Sequence, residues 1–168
     1  GLQWQWGRDT VHGWGWSTRL DGLYLNDAQD RLLLPTLNLS ETVRPVLGLK
    51  HTYDIDQSGD GDAGWVEALI DGDWTVVEPA YGYPTIDGFS GSSEPAEWTW
   101  FDLSSLDDFP SLRLVFQTDQ AVRRTGWFIQ SIQVEDGDPI PPQFQSVGSL
   151  EDTTDILGPY EVTATIID

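Results

Sequence analysis

RLVFQTD (residues 113–119) and GWFIQSIQV (residues 126–134) are the two runs of this chain that predict its structure most clearly. Both are rich in β-branched and aromatic residues, and a polar connection separates them, so we expect a strand, a loop and a second strand. In the second run one side of the predicted strand carries Phe128, Gln130, Ile132 and Val134, and the other carries Trp127, Ile129, Ser131 and Gln133. Neither side is purely apolar, which indicates that one face is buried and the other is partly covered.

The rest of the chain repeats this rhythm of short apolar segments and turn-rich clusters, and almost none of it has the pattern of a helix. Such spacing is typical of a β-sandwich or barrel. The further predicted strands are Gln3–Trp6, Gly13–Arg19, Arg31–Leu34, Thr36–Leu39, Val46–Tyr53, Gly64–Ile70, Thr75–Pro79 and Trp98–Asp102. Turn residues separate them at 21–22, 58–62, 71–73 and 88–95.

Four segments resemble, in the same order, parts of a known module. LDGLYLND (20–27) with LLLPTLNLS (32–40) is similar to its opening, GWVEALIDGDW (64–74) to its centre, and Trp98–Ser104 to a later segment. LRLVFQTD (112–119) followed by GWFI (126–129) is similar to its end. The family is the jelly-roll accessory module of bacterial secreted proteins, found in immune inhibitor A-type metallopeptidases and in related MAM-like modules. The resemblance covers roughly residues 1–136 and implies an all-β jelly-roll β-sandwich.

The resemblance also implies a function: a non-catalytic accessory or adhesion module of a larger secreted or cell-surface protein, bacterial or archaeal. Its expected partners are other extracellular protein domains or copies of itself, and a glycan is a further candidate ligand. Two alternatives stay open. A carbohydrate-binding module would be distinguished by solvent-exposed tryptophan pairs, and a structural subunit of an extracellular assembly by a C-terminal strand that completes a neighbour's sheet. An enzyme is the least favoured class, because the chain has no G-x-S-x-G or H-E-x-x-H motif.

Charge and composition narrow the partners. The 168 residues include 28 Asp or Glu and 8 Lys or Arg, which gives a formal net charge of −20. Nucleic acids and anionic membrane surfaces need clustered basic residues, so we expect neither as a partner. Without cysteine the chain has no disulfide and no thiolate metal site, and no apolar run predicts membrane insertion. Because the chain begins at Gly1 rather than Met, we expect a processed or excised fragment.

A proline-rich segment, residues 137–142, predicts an extended linker after the first domain. Beyond it, residues 143–168 are too few for a closed sandwich of about 100 residues. GPYEVTATIID (158–168) resembles the opening of an Ig-like or fibronectin-III-like module. We therefore expect a partial module or an extended strand tail that adds to a partner sheet, with Tyr160, Val162, Ala164 and Ile166 as its contact face.

The acidic segment 54–62 is the sharpest chemical signal. Oxygen-bearing side chains stand at alternate positions of a glycine-containing loop, a pattern that suits Ca²⁺. The predicted ligands of a structural Ca²⁺ are Asp54, Asp56, Ser58, Asp60 and Asp62. The terminal bidentate glutamate of an EF-hand is missing, because Trp65 stands there. A solvated acidic turn is the alternative, although four carboxylates this close repel one another unless something neutralises them.

Tryptophans occur in pairs two residues apart, and in a strand each pair shares a face. Most are expected in an aromatic core. The best candidates for a ligand-binding surface are Trp4, Trp6, Trp14 and Trp16, because their neighbours are Gly, Gln and Ser. Tyr81, Tyr83 and Phe89 lie in a glycine-rich loop that we expect to be exposed, and Tyr81 and Tyr83 are secondary candidates for ligand contact.

Overall fold

The computed structural model describes residues 4–58, 61–137, 143–147 and 164–167. These residues form strands and connections, with no helix among them. The strands in chain order are β1 (Gln5–Asp9), β2 (Gly13–Ser17), β3 (Gln29–Leu33), β4 (Pro45–Ile55), β5 (Ala63–Ile70), β6 (Asp73–Val76), β7 (Gly91–Asp102), β8 (Leu112–Gln117), β9 (Gly126–Asp136), β10 (Gln143–Val147) and β11 (Ala164–Ile167).

Nine of these strands form two antiparallel sheets that pack face to face. The larger sheet has the order β1-β2-β9-β4-β7, and the smaller has the order β3-β8-β5-β6. Between them lies one apolar core, to which both sheets contribute: Leu47, Leu49, Phe101, Trp127 and Ile129 from the larger, and Val66, Ala68, Leu112, Leu114 and Phe116 from the smaller. The predicted all-β class and sandwich are therefore confirmed.

The mixed pattern of β9 has a specific cause. Its pairing with β4 shifts at one point: Ser131 is opposite Lys50, but Ile129 is opposite His51, which leaves Gln130 as an extra residue. Such a bulge reverses the alternation of side chains beyond it. Trp127 and Ile129 before the bulge, and Ile132 and Val134 after it, therefore all pack on the core.

Three predicted segments differ from the structure. The strand predicted at Thr75–Pro79 begins and ends earlier, as β6 at Asp73–Val76. Thr36–Leu39 is a loop and not a strand. Leu39 is nevertheless buried, and its backbone N–H donates to the carbonyl of Asp108. The cluster 88–95, expected as a turn, instead contains the start of β7 at Gly91. Pro95 is tolerated in β7 because this strand lies at the sheet edge and residues 94–96, between Ser93 and Glu97, have no register partner on β4.

Candidate functional site

The acidic segment connects β4 to β5 and is partly buried. Asp56 and Asp62 are among the buried polar residues, whereas Ser58 is exposed. Asp54 is still part of β4. Asp60 lies outside the described residues. The loop is therefore an integral part of the sandwich end, and the free acidic turn considered from the sequence does not describe Asp56 and Asp62.

Tyr24 organises the two buried aspartates. Its hydroxyl donates to Asp62 Oδ2 over 2.5 Å and accepts from the backbone N–H of Asp56 over 3.1 Å. The other oxygen of Asp62 accepts from the backbone N–H of Asp119 over 2.6 Å. Burial raises the pKa of Tyr24, so at neutral pH the ring keeps the proton it donates. Tyr24 joins loops that are far apart in the chain.

Arg124 supplies a positive charge that the local sequence does not reveal. Its Nε lies 3.3 Å from Asp56 Oδ1, and its Nη1 lies 3.7 Å from Asp54 Oδ1. The Thr125 hydroxyl also donates to Asp54 Oδ2 at 3.4 Å. The guanidinium thus relieves part of the repulsion between these carboxylates, which from the sequence alone pointed to a bound cation.

The two buried aspartates have opposite pKa shifts. The Ser58 hydroxyl, which donates to Asp56 Oδ2, holds the pKa of Asp56 below its ordinary value, and Arg124 adds to this effect. Burial raises the pKa of Asp62 in spite of its hydrogen bonds. A nearby cation would favour the ionised form of Asp62. Asp62 is therefore the member of the pair that gains most from a bound positive charge.

A cavity of about 300 Å³ opens beside these aspartates and contains mainly oxygen-bearing groups. Asp87 lines it together with Asp56, Gln57, Asp62, Thr85 and Ser90. Oxygen donors of this kind suit Ca²⁺. The aspartates would supply carboxylate ligands and negative charge, and the Gln, Thr and Ser side chains would supply neutral carbonyl and hydroxyl ligands. Within the described part of the chain, however, no three His, Cys, Asp or Glu side chains form a group that could hold a metal ion. Ca²⁺ thus remains a prediction for which the donor chemistry fits.

The hairpin of β1 and β2 presents the second predicted site. Trp6 pairs in register with Trp16, and Arg8 pairs with Trp14. The Trp6 and Trp14 rings stack with centroids 6.2 Å apart and planes at 27°, and the Trp16 ring lies 5.6 Å from Trp6. Trp6 is 56% exposed and Trp14 61% exposed. We call Trp6, Trp14 and Trp16 the tryptophan platform.

The platform continues the core beyond the edge of the sandwich. Trp16 pairs with Ile129, a core residue of β9, so it lies on the core side of the larger sheet. Trp4 is buried against Trp127, with ring centroids 5.7 Å apart. The prediction that Trp4 is a surface residue is therefore wrong, and Trp16 is only half-buried. Trp6 is more exposed because β1 is an edge strand of the larger sheet, and Trp14 is more exposed than Trp16 because it precedes the residues of β2 that pair with β9.

Glycines make this arrangement fit on the opposite face of the hairpin. Gly15 stands between Trp14 and Trp16, and a Cβ there would overlap the Phe128 ring and the Ile129 carbonyl. Phe128 is thus buried against the hairpin from outside, which holds β2 firmly on β9. The alternation of Trp with Gly in GWGWS (13–17) gives the hairpin one aromatic face and one flat face.

Of the two tyrosine candidates, one is exposed and the other is partly buried, as among the tryptophans. Tyr81 is exposed, as predicted, whereas Tyr83 is half-buried and its hydroxyl donates to the Val77 carbonyl and accepts from the Val66 N–H. Phe89, which the sequence placed in an exposed loop, is buried in the core. The hydroxyl of Tyr83 therefore holds two backbone groups of the fold together and is already engaged within the protein.

In the tail, β10 and β11 pair antiparallel. Ala164 is opposite Val147, and Ile166 is opposite Phe144. Tyr160 and Val162 lie outside the described residues. Two of the four predicted contact positions therefore fall in a strand, which pairs with another segment of the same tail.

No protein-family model matches the chain, and a search of the curated proteins finds no match. None of the described segments is a helix that could span a membrane.

Proposed function

We propose that this domain is a non-catalytic accessory module of a larger secreted or cell-surface protein and that it binds carbohydrate through the tryptophan platform. The observation that carries the proposal is the exposure of the stacked Trp6 and Trp14 rings. Large aromatic rings are normally buried, and a cluster of them left in water marks a binding surface.

The platform offers what a sugar ring needs. The faces of indole rings carry partial negative charge and attract the partially positive C–H groups of a pyranose face. Arg8 pairs in register with Trp14 and lies on the same face of the hairpin, where it supplies hydrogen-bond donors for sugar oxygens. With a net charge of −20 the chain repels polyanions, so the proposed ligand is a neutral glycan.

The strand order supports the jelly-roll part of the proposal. Without β1, four strands in the order β2-β9-β4-β7 face four in the order β3-β8-β5-β6. Eight antiparallel strands in two such sheets are the composition of a jelly roll. This agrees with the resemblance of residues 1–136 to accessory modules of secreted proteins, from which the proposed extracellular location also comes.

The test is a binding screen against insoluble and soluble polysaccharides. The proposal expects the wild-type chain to be retained by at least one neutral polysaccharide and W6A/W14A to be released. Phe109→Ala is the matched control, because Phe109 is 60% exposed and lies outside the platform. Equal retention of both variants, or no retention of the wild type, would contradict the proposal.

We also propose that Ca²⁺ stabilises the acidic loop through Asp54, Asp56, Asp60 and Asp62. The oxygen-lined cavity beside Asp56 and Asp62 supports this, as does the raised pKa of Asp62. In this proposal the ion is structural and takes no part in a reaction.

A second candidate function is assembly by strand addition. In the described part of the chain β10 and β11 pair only with each other, and a two-stranded sheet is marginally stable by itself. A further strand from a second copy of the chain would satisfy the edges that β10 and β11 leave unpaired within the described residues. Light scattering would test this: the wild type should associate, and Ala164→Pro, which removes a backbone donor from β11, should be monomeric. A monomeric wild type at high concentration, without any partner strand, would contradict it.

A further inference from the structure

A second aromatic site lies at the other edge of the larger sheet. The tryptophan platform is built on β1 and β2, whereas β7 is the opposite outer strand. A cavity of about 290 Å³ opens between β7 and the segment 79–84. Most of the residues that line it are aromatic or proline: His51, Tyr53, Pro79, Tyr81, Tyr83, Pro84, Phe89, Trp98 and Trp100.

The inner part of this cavity is a set of rings in mutual contact. The Phe89 ring lies 4.6 Å from His51, 4.9 Å from Tyr83 and 5.7 Å from Tyr53, centroid to centroid. His51 and Phe89 are buried, and Tyr53 and Tyr83 are half-buried. Rings packed this closely cannot turn away without losing their contacts, so the wall is preformed.

His51 is neutral and fully hydrogen-bonded. The Trp127 indole N–H can only donate, and it lies 2.9 Å from His51 Nδ1, which must therefore accept. The proton of the neutral ring is thus on Nε2, which lies 2.8 Å from the Thr99 hydroxyl. Burial lowers the pKa of His51 to about 4. The wall consequently carries no positive charge at neutral pH.

The exposed residues around the cavity have a single charge sign. Tyr81 is 61% exposed, Trp98 is 36% exposed, and Glu97 is exposed beside it. None of the described residues that line the cavity is Lys or Arg; Lys50, the register partner of Trp98, is not among them. The net charge of −20 adds an attractive field for cations.

We propose that this cavity binds an organic cation, with a quaternary ammonium group against the aromatic wall and Glu97 at the mouth. Several aromatic faces around one cavity attract such a cation through their ring quadrupoles. A sugar is a poorer fit, because the hydroxyls of Tyr83 and Thr99 are already engaged within the protein. A purely apolar ligand would gain nothing from Glu97.

The experiment is a titration of the full ¹⁵N-labelled chain with choline and, separately, with its neutral carbon analogue 3,3-dimethyl-1-butanol. The indole N–H signals of Trp98 and Trp100 report on the cavity. We expect saturable shifts with choline, and binding of the neutral analogue weaker by about tenfold, the scale of a desolvated cation–π contact. Added salt should weaken choline binding.

Variants locate the site. Tyr81→Ala and Glu97→Gln, both at exposed positions, should each weaken choline binding by about threefold or more. Phe109→Ala is the matched control, because Phe109 is 60% exposed, close to the 61% of Tyr81, and lies outside both this cavity and the tryptophan platform, so it should leave choline binding unchanged. Equal binding of choline and its neutral analogue, no saturable choline shifts, or oligosaccharide shifts at Trp98 without choline shifts would each overturn the proposal. Loss of glycan retention in W6A/W14A is independent of this result.

Discussion

Tyr24 donates a 2.5 Å hydrogen bond to Asp62. The two residues are 38 positions apart and lie in different connections, one between β2 and β3 and the other directly before β5. The same hydroxyl accepts the backbone N–H of Asp56, just after β4. One side chain thus links three segments at this end of the sandwich, and it does so in the interior, where an unsatisfied polar group is costly.

Removing the Tyr24 hydroxyl should lower the stability of the folded chain. Tyr24→Phe leaves the Asp56 N–H without its acceptor and the Oδ2 of Asp62 without its donor, so we expect a loss of about 1–3 kcal/mol in the free energy of unfolding. Urea denaturation measures it. Tyr83→Phe is the comparison, because its hydroxyl likewise accepts one hydrogen bond and donates another, here to two backbone groups, and it should show a similar loss. A change below about 0.5 kcal/mol for Tyr24→Phe, the size of an ordinary surface effect, would show that the link is not important.

The neutral state of His51 predicts a pH dependence of stability. Its folded pKa, about 4, is below the ordinary value of 6.5, so below pH 6.5 the unfolded chain takes up a proton that the folded chain does not. This contribution to stability is complete above pH 6.5 and is lost as the pH falls towards 4, at no more than about 1.4 kcal/mol per pH unit. Denaturation curves across this range should show the slope.

His51→Gln tests the assignment of that slope. Glutamine has an amide oxygen that can accept from Trp127 and an amide N–H₂ that can donate to Thr99, but it does not titrate. Because His12 is present in both proteins, the difference between their slopes belongs to His51. Identical slopes would contradict the neutral, buried assignment.

The sequence predicts most of the sandwich, because alternation and turn residues are local signals. β5, β8 and β9 lie close to where the sequence places them. It does not predict the bulge at Gln130, since a bulge is defined by pairing with β4, and that register is not visible in β9 alone. Nor does the sequence predict that β7 begins at Gly91. Gly91 and Pro95 are typical of turns, and their place in an edge strand depends on the strand order, which is not a local signal.

The site was only partly predictable for a related reason. The acidic loop is a local pattern, but its partners Tyr24 and Arg124 are 32 and 68 positions from Asp56. Residue type likewise identified the tryptophan pairs but not their exposure. Trp4 and Trp6 have similar neighbours in the sequence, and one is buried while the other is exposed because the core ends between them.

Close packing over Gly64 predicts a sensitive position. A Cβ at Gly64 would overlap the ring of Trp127, which is completely buried and has no room to move. Gly64→Ala should therefore cost about 1–3 kcal/mol, the usual range for overpacking a core. Gly137→Ala is the control, because a Cβ there meets nothing within 4 Å. Equal melting temperatures for the two variants would contradict the packing described here.

The calcium proposal predicts a ligand-dependent stability. If Ca²⁺ binds only the folded chain, a concentration one hundred times its dissociation constant adds about 2.7 kcal/mol, and EDTA removes this gain. Asp60→Asn should reduce the calcium-dependent rise in melting temperature, while Asp71→Asn, an exposed position in the turn between β5 and β6, should keep it. A melting temperature that neither Ca²⁺ nor EDTA changes would rule out a stabilising ion.

The most direct test of the account is the dissociation constant for an oligosaccharide of the retained polysaccharide, measured by calorimetry with Trp14→Ala and Phe109→Ala. Loss of one exposed stacking ring should weaken binding by about tenfold, as expected for an aromatic contact of about 1.4 kcal/mol. Phe109→Ala should bind as the wild type does, and both variants should keep the wild-type melting temperature. If Trp14→Ala binds the oligosaccharide as tightly as the wild type, the tryptophan platform is not the glycan site.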